Sequence, residues 1–119
     1  MLLSKEFTFD AAHNLIHYHG KCEKLHGHTY RLKVVIEGQP GSEGMIIDFL
    51  EVSKIVKDNV ISILDHSYLN EIITQPSAEN IALWIWEKLK DKFNLSEIHV
   101  WETPTSCVIL RKSDFERRD

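Results

Sequence analysis

Cysteine is scarce. The 119 residues hold two, Cys22 and Cys107. Two thiols make no disulfide framework, so the fold has to rest on a buried core. Proline and glycine are few as well, three and five, which excludes collagen-like and low-complexity chains. No apolar run approaches the roughly 18 residues of a membrane-spanning helix, so no membrane partner is expected. A basic excess is also missing. The 14 Lys and Arg stand against 18 Asp and Glu, a formal net charge of -4. No overall positive field points to nucleic acid as a partner. The first residues, MLLSKEFTFDAAH, lack the basic region and apolar run of a secretory signal. Together with unpaired thiols, this favours a soluble protein in the reducing cytoplasm.

What is present is ordinary globular material, 43% hydrophobic and 27% charged, enough for one core. No repeat or linker divides the chain, so residues 1–119 read as a single domain. Leu3, Lys5, Phe7, Phe9, Ala11 and His13 alternate with Thr8, Asp10 and Ala12, the period of a strand. A polar loop follows, and then His28, Tyr30, Leu32, Val34 and Ile36 alternate with Thr29, Arg31 and Lys33. From Asp48, an N-cap with Glu51 placed for a capping box, Phe49, Val52, Val56, Val60 and Ile63 recur at helical spacing. Ser77 caps a second helix carrying Ile81, Ala82, Ile85, Leu89 and Phe93. EIHVWE and SCVILR read as two closing strands. The order β-β-α-α-β-β predicts an α+β fold with the helices on one sheet face.

The stretch CEKLHGH, residues 22–28, raises the chemistry. His26 and His28 leave the same face of a strand. Gly27 between them lets the backbone be approached closely. His13 ends the preceding strand, so a hairpin brings three imidazoles together. Three neutral imidazoles suit Zn²⁺ and leave a fourth position open, the catalytic arrangement; Cys22 as fourth ligand makes a closed structural site instead. The plainer alternative is a chance H-x-H on an exposed strand. His17 and His19 in the loop read as solvated rather than as further ligands. Near a dication Cys22 favours thiolate and is nucleophile, base or ligand. Cys107, in the apolar SCVIL, reads as a packed strand residue. Asp65 beside His66 can orient an imidazole for proton transfer; a histidine stabilising a helix C-terminus is the alternative. Glu102 alternates with Ile98 and Val100. Its carboxylate either reaches solvent or takes a ligand with adjacent N–H donors.

FDAAH (His13), CEKLHGHTY (Cys22, His26, His28), GMIIDF (Asp48), LDHSYLN (Asp65, His66), PSAENIA (Ser77, Glu79, Asn80) and ETP (Glu102) come in this order along nearly the whole chain. Together they resemble the 6-pyruvoyl-tetrahydropterin synthase / 6-carboxytetrahydropterin synthase family. The resemblance implies a tunnelling fold (T-fold), a four-stranded antiparallel sheet with two helices on one face. It implies assembly into a β-barrel homo-oligomer, a trimer or a hexamer, with active sites between subunits. It implies zinc held by His13, His26 and His28, Cys22 as acid/base thiol, Asp65 and His66 as a proton relay, and Glu102 as anchor of a pterin triphosphate substrate. Three residues separate Cys22 from His26, the C-x3-H-G-H spacing of 6-carboxytetrahydropterin synthases in queuosine formation, against C-x5-H-G-H in pyruvoyl synthases. Glu23 also satisfies E-x-x-H-G-H, the pattern of a subgroup making 6-hydroxymethyl-dihydropterin for folate, so a dual role is implied.

Overall fold

Alternation produces the two longest strands. In the computed structural model, which describes residues 1–116, β1 (Leu2–His13) and β2 (His26–Glu37) pair antiparallel from Leu2↔Glu37 to His13↔His26. Phe7, Phe9, Ala11 and His13 are buried, as are Tyr30, Leu32, Val34 and Ile36. Thr8, Asp10, Thr29 and Arg31 face outward. A slip of one residue would turn both apolar rows into solvent, so burial itself holds this register.

The expected four antiparallel strands are β1, β2, β4 (Leu95–Thr103) and β5 (Ser106–Arg111). A fifth, β3, is only Ser67–Tyr68 and lies parallel to Ala11–Ala12 at the edge. Two residues carry no readable period, which is why the sequence did not announce it. The order across the sheet is β3-β1-β2-β4-β5.

Helices cover the face that carries Tyr30 and Ile98. The first helical segment runs as α1 (Phe49–Val56), a π turn (Lys57–Ile61) and α2 (Ser62–Leu64). Its buried residues are Val52, Val56, Val60 and Leu64; Phe49 and Ile63, expected on the same stripe, are 54% and 39% exposed. A repeat of four drifts around a regular α-helix. The wider i→i+5 turn takes up that drift and keeps the valines on the sheet. Asp48 does cap the helix, but its side chain accepts from the Leu50 N–H, so the box with Glu51 does not form. α3 (Ala78–Leu89) is capped by Ser77, whose hydroxyl accepts from the Asn80 N–H. Ile81, Ala82, Ile85 and Leu89 are buried as expected; Phe93 is buried just beyond the helix end. Ile85, fully buried at the helix–sheet seam, tests this packing: Ile85→Ala is expected to cost about 2–5 kcal/mol in urea unfolding, from lost burial and the cavity left behind.

Cys107 departs from expectation. It is exposed, because the inward row of β5 is Val108 and Leu110 while Cys107 and Ile109 lie on the open face. The apolar context of SCVIL could not tell the two parities apart.

Candidate metal and acid–base site

Strand pairing assembles the first cluster. His13 is the Cα partner of His26, and His28 is the partner of Ala11, whose small side chain leaves room for the rings. His13 is only 1% exposed. The carbonyl of Pro76 lies 2.8 Å from His13 Nδ1, and that of Lys24 lies 2.8 Å from His26 Nδ1. A carbonyl only accepts, so both Nδ1 atoms carry a proton, and in the neutral rings both Nε2 atoms present lone pairs. These two Nε2 atoms are 3.1 Å apart. Two acceptors cannot hydrogen-bond each other.

Glu102 closes the group. Its Oε1 lies 3.3 Å from His13 Nε2 and 3.0 Å from His28 Nε2. His28 Nε2 is buried and makes no hydrogen bond of acceptable geometry among the described residues. Burial pushes the His28 imidazole below its usual pKa; Glu102 opposes this, and His13 and His26 add to it. The ring is therefore ready to ligate without first losing a proton near neutral pH.

All four ligand atoms fall within 4.8 Å of one another. Tetrahedral zinc, with bonds of about 2.0–2.1 Å, requires donors about 3.3–3.4 Å apart. The three separations of 3.0, 3.1 and 3.3 Å come close to that edge. Facing acceptors, committed Nδ1 protons and a nearby carboxylate all fit a dication. Sequence reading supplied the three histidines; Glu102 as part of the donor group was missed.

A second cluster forms where α2 ends. Asp65 Oδ2 lies 3.0 Å from His66 Nδ1. The backbone of Asp10 clamps both residues. Its N–H donates to Asp65 Oδ1 at 2.9 Å, and its carbonyl accepts from the His66 N–H at 2.6 Å. His66 is held at φ 59°, a conformation that costs energy for a residue with a side chain, and its ring is 79% exposed. The two-residue β3 follows at once and fixes this turn against β1. The Asp10 N–H, and after it the His66 imidazole, hold the Asp65 carboxyl below the usual range. A depressed carboxyl stabilises above its unfolded pKa, about 3.9, and that contribution fades as pH falls through the folded value. Asp65→Asn is therefore expected to lower the urea midpoint at pH 7, with the gap from wild type closing below about pH 4.

The remaining residues sit in the loop at 14–25. Cys22 is exposed and lies outside both clusters. Glu23 Oε1 accepts from the Leu15 N–H at 3.1 Å, while the Glu23 N–H donates to the Leu15 carbonyl at 2.9 Å, which closes the neck of the loop. The same carboxylate is 4.0 Å from His26 Nδ1. His17 and His19 are exposed, with φ of 59° and 51°, and belong to neither cluster. Beside the histidines an open cleft of about 480 Å³, lined by Thr8, His28, Arg31, Trp101, Glu102 and Pro104, has the size of a small-ligand site. The Arg31 guanidinium stacks over the Trp101 ring, 3.9 Å from its centroid.

Comparison with known proteins identifies relatives of the chain. The chain is 37% identical to 6-carboxy-5,6,7,8-tetrahydropterin synthase of Haemophilus influenzae, over 87% of this chain and 94% of the relative. It is 40% identical to the protein of the same name from Synechocystis, over 89% of each. It is also 42% identical to dihydroneopterin monophosphate aldolase of Pyrococcus furiosus, over 80% of this chain and 83% of that one. Among solved structures, 6-pyruvoyl tetrahydropterin synthase of Caenorhabditis elegans superposes with a TM-score of 0.81 at 24% identity, covering 93% of this chain and 94% of the other. The fold is thus the T-fold. The model of the family described as 6-pyruvoyl tetrahydropterin synthase matches residues 2–113, and the chain belongs to that family.

Proposed function

We propose that the protein is a zinc-dependent 6-carboxytetrahydropterin synthase of the cytoplasm. It converts 7,8-dihydroneopterin triphosphate to 6-carboxy-5,6,7,8-tetrahydropterin, acetaldehyde and triphosphate, for queuosine (7-deazaguanine) biosynthesis. The observation that carries this reading is the convergence of the His13 and His26 Nε2 atoms, 3.1 Å apart, beside His28 and a ligand-sized cleft. The C-x3-H-G-H spacing and the names of the Haemophilus and Synechocystis relatives point the same way.

His13, His26 and His28 would hold zinc. Held there, the metal would supply Lewis-acid polarisation that lowers the pKa of substrate hydroxyls. Cys22 takes a proton from the side chain. Asp65 fixes the Nδ1 face of His66, leaving the exposed Nε2 edge to move a proton. Glu102 anchors the pterin by accepting two adjacent N–H groups of its amino-pyrimidine. With protons removed, the side chain rearranges and triphosphate leaves; one water then adds as the C–C bond between the first and second side-chain carbons breaks, which leaves the carboxylate on the pterin and releases the two terminal carbons as acetaldehyde.

Cys22 and His66 are both open to solvent in the single chain, as expected for halves of a site that meet between subunits. The sheet offers the means. Its antiparallel members β1, β2, β4 and β5 alternate in direction, and β5 pairs only with β4 among the described residues. The outer edge of β1 is covered by β3 only at Ala11–Ala12. β5 of one copy beside β1 of the next continues the alternation, so copies close into a barrel without exposed edges. The protein is accordingly a homo-oligomer, a trimer or a hexamer.

A second reading has one observation in its favour. The Pyrococcus relative is named an aldolase, and Glu23 stands where a glutamate base would. Here, however, the Glu23 carboxylate is engaged by the Leu15 N–H. A closed structural zinc site using Cys22 has less support, since Cys22 is outside the donor group and Glu102 is inside it. The test is a metal cycle. Chelation should abolish turnover of the triphosphate and added zinc should restore it; metal-loaded protein that leaves the substrate untouched would end this reading.

A further inference from the structure

Glu102 has two incompatible tasks. As a pterin anchor its carboxylate has to face the cleft. In the structure Oε1 instead completes the histidine group, 3.3 Å from His13 Nε2 and 3.0 Å from His28 Nε2. We infer that Glu102 is the fourth ligand of the metal in the substrate-free protein, and that it leaves this position to take the N–H groups of the incoming pterin. This rests on the proposed function and deepens it.

Three observations support the inference. The donor separations involving Oε1 match tetrahedral edges as well as the His13–His26 separation does. A β-bulge sits at this residue: Trp101 pairs with Cys107 but Thr103 pairs with Ser106, so Glu102 is the extra, unpaired residue of β4. Bulges re-aim a side chain, and they loosen the ladder locally. Finally, Glu102 is the donor with a way out. Its side chain is 32% exposed and lines the cleft, whereas His13 is 2% exposed, and His26, although 37% exposed, is tied by its Nδ1–H to the Lys24 carbonyl and does not line the cleft.

The chemistry explains why one carboxylate serves both ends. Near three imidazoles, with lone pairs on His13 and His26 facing inward, an anion needs a cation beside it. In the cleft it needs paired donors, which an amino-pyrimidine supplies as two charge-assisted bonds. One arrangement excludes the other. Capture of the pterin therefore frees the fourth position only when the ring is in place, and water has less opportunity to compete for it beforehand.

Cobalt-substituted protein reads the ligand set directly through its visible spectrum. The probe is a pterin without a side chain, which can reach Glu102 but offers no hydroxyls to the metal. In the wild type, the cobalt spectrum should change on titration with this pterin. Glu102→Gln, nearly the same shape but a poor ligand, should start with a different spectrum, should not respond to the pterin in the same way, and should hold zinc about 10–100-fold more weakly against a competing chelator. If wild-type cobalt protein binds the pterin with no spectral change, or if Glu102→Gln matches wild type in both spectrum and zinc affinity, the inference fails while the proposed function stands. If His26→Ala still binds metal as tightly as wild type, the metal centre is misplaced and the proposed function fails with it.

Discussion

His26→Ala is expected to give a folded protein that holds no stoichiometric zinc and has lost at least about 10³-fold of its turnover, because a catalytic metal supplies several kcal/mol of transition-state stabilisation. His26 is the ligand to choose. It sits at the start of β2 and its side chain is 37% exposed, so its removal opens little of the core. His13 would confound the result: it is 1% exposed and donates to the Pro76 carbonyl, so its loss leaves a cavity and an unpaired acceptor. Metal content per chain, measured beside the circular dichroism spectrum, separates loss of metal from loss of fold. A variant with full zinc and low activity would point to a role for His26 other than ligation.

Cys22→Ala is expected to lower formation of 6-carboxytetrahydropterin by about 10²–10⁴-fold, the usual contribution of a positioned proton-transfer group, with zinc content unchanged. Cys22 is exposed and outside the donor group, so neither the core nor the metal depends on it. Glu23→Ala gives the contrast. If Glu23 acts only through its bond to the Leu15 N–H, the variant loosens the loop and depresses every product alike. If Glu23 is itself a base, 6-hydroxymethyl-dihydropterin disappears while 6-carboxytetrahydropterin persists. A Cys22→Ala protein that still makes the hydroxymethyl product, but no carboxy product, identifies a dual enzyme.

Much of this site was legible because a strand has a period of two. Alternation alone puts His13 in one row with Phe7 and Phe9, and His28 in one row with Tyr30 and Leu32, and the pairing His13↔His26 follows from a simple hairpin. The three histidines lie at or near strand ends. Glu102 shows where that reasoning stops. Its inward parity was right, but its approach to the histidines depends on a bulge in β4, and a bulge breaks the period that parity relies on. Asp65 and His66 were legible as a pair but not in their setting. The left-handed turn at His66 and its clamp by Asp10 join residues 55 apart in sequence, and no local pattern encodes that contact. The π turn of the first helix was hidden for a related reason: a run of valines at four-residue spacing looks helical whichever hydrogen-bond pattern it adopts.

The central claim is that three imidazoles and a thiol act together on one substrate. The most direct test is incubation of zinc-loaded protein with 7,8-dihydroneopterin triphosphate, followed by mass spectrometry of the pterin and trapping of the released aldehyde. The account predicts 6-carboxy-5,6,7,8-tetrahydropterin and acetaldehyde in equal amounts. Formation of 6-hydroxymethyl-dihydropterin or 6-pyruvoyl-tetrahydropterin as the sole product, or recovery of unchanged substrate, would contradict it.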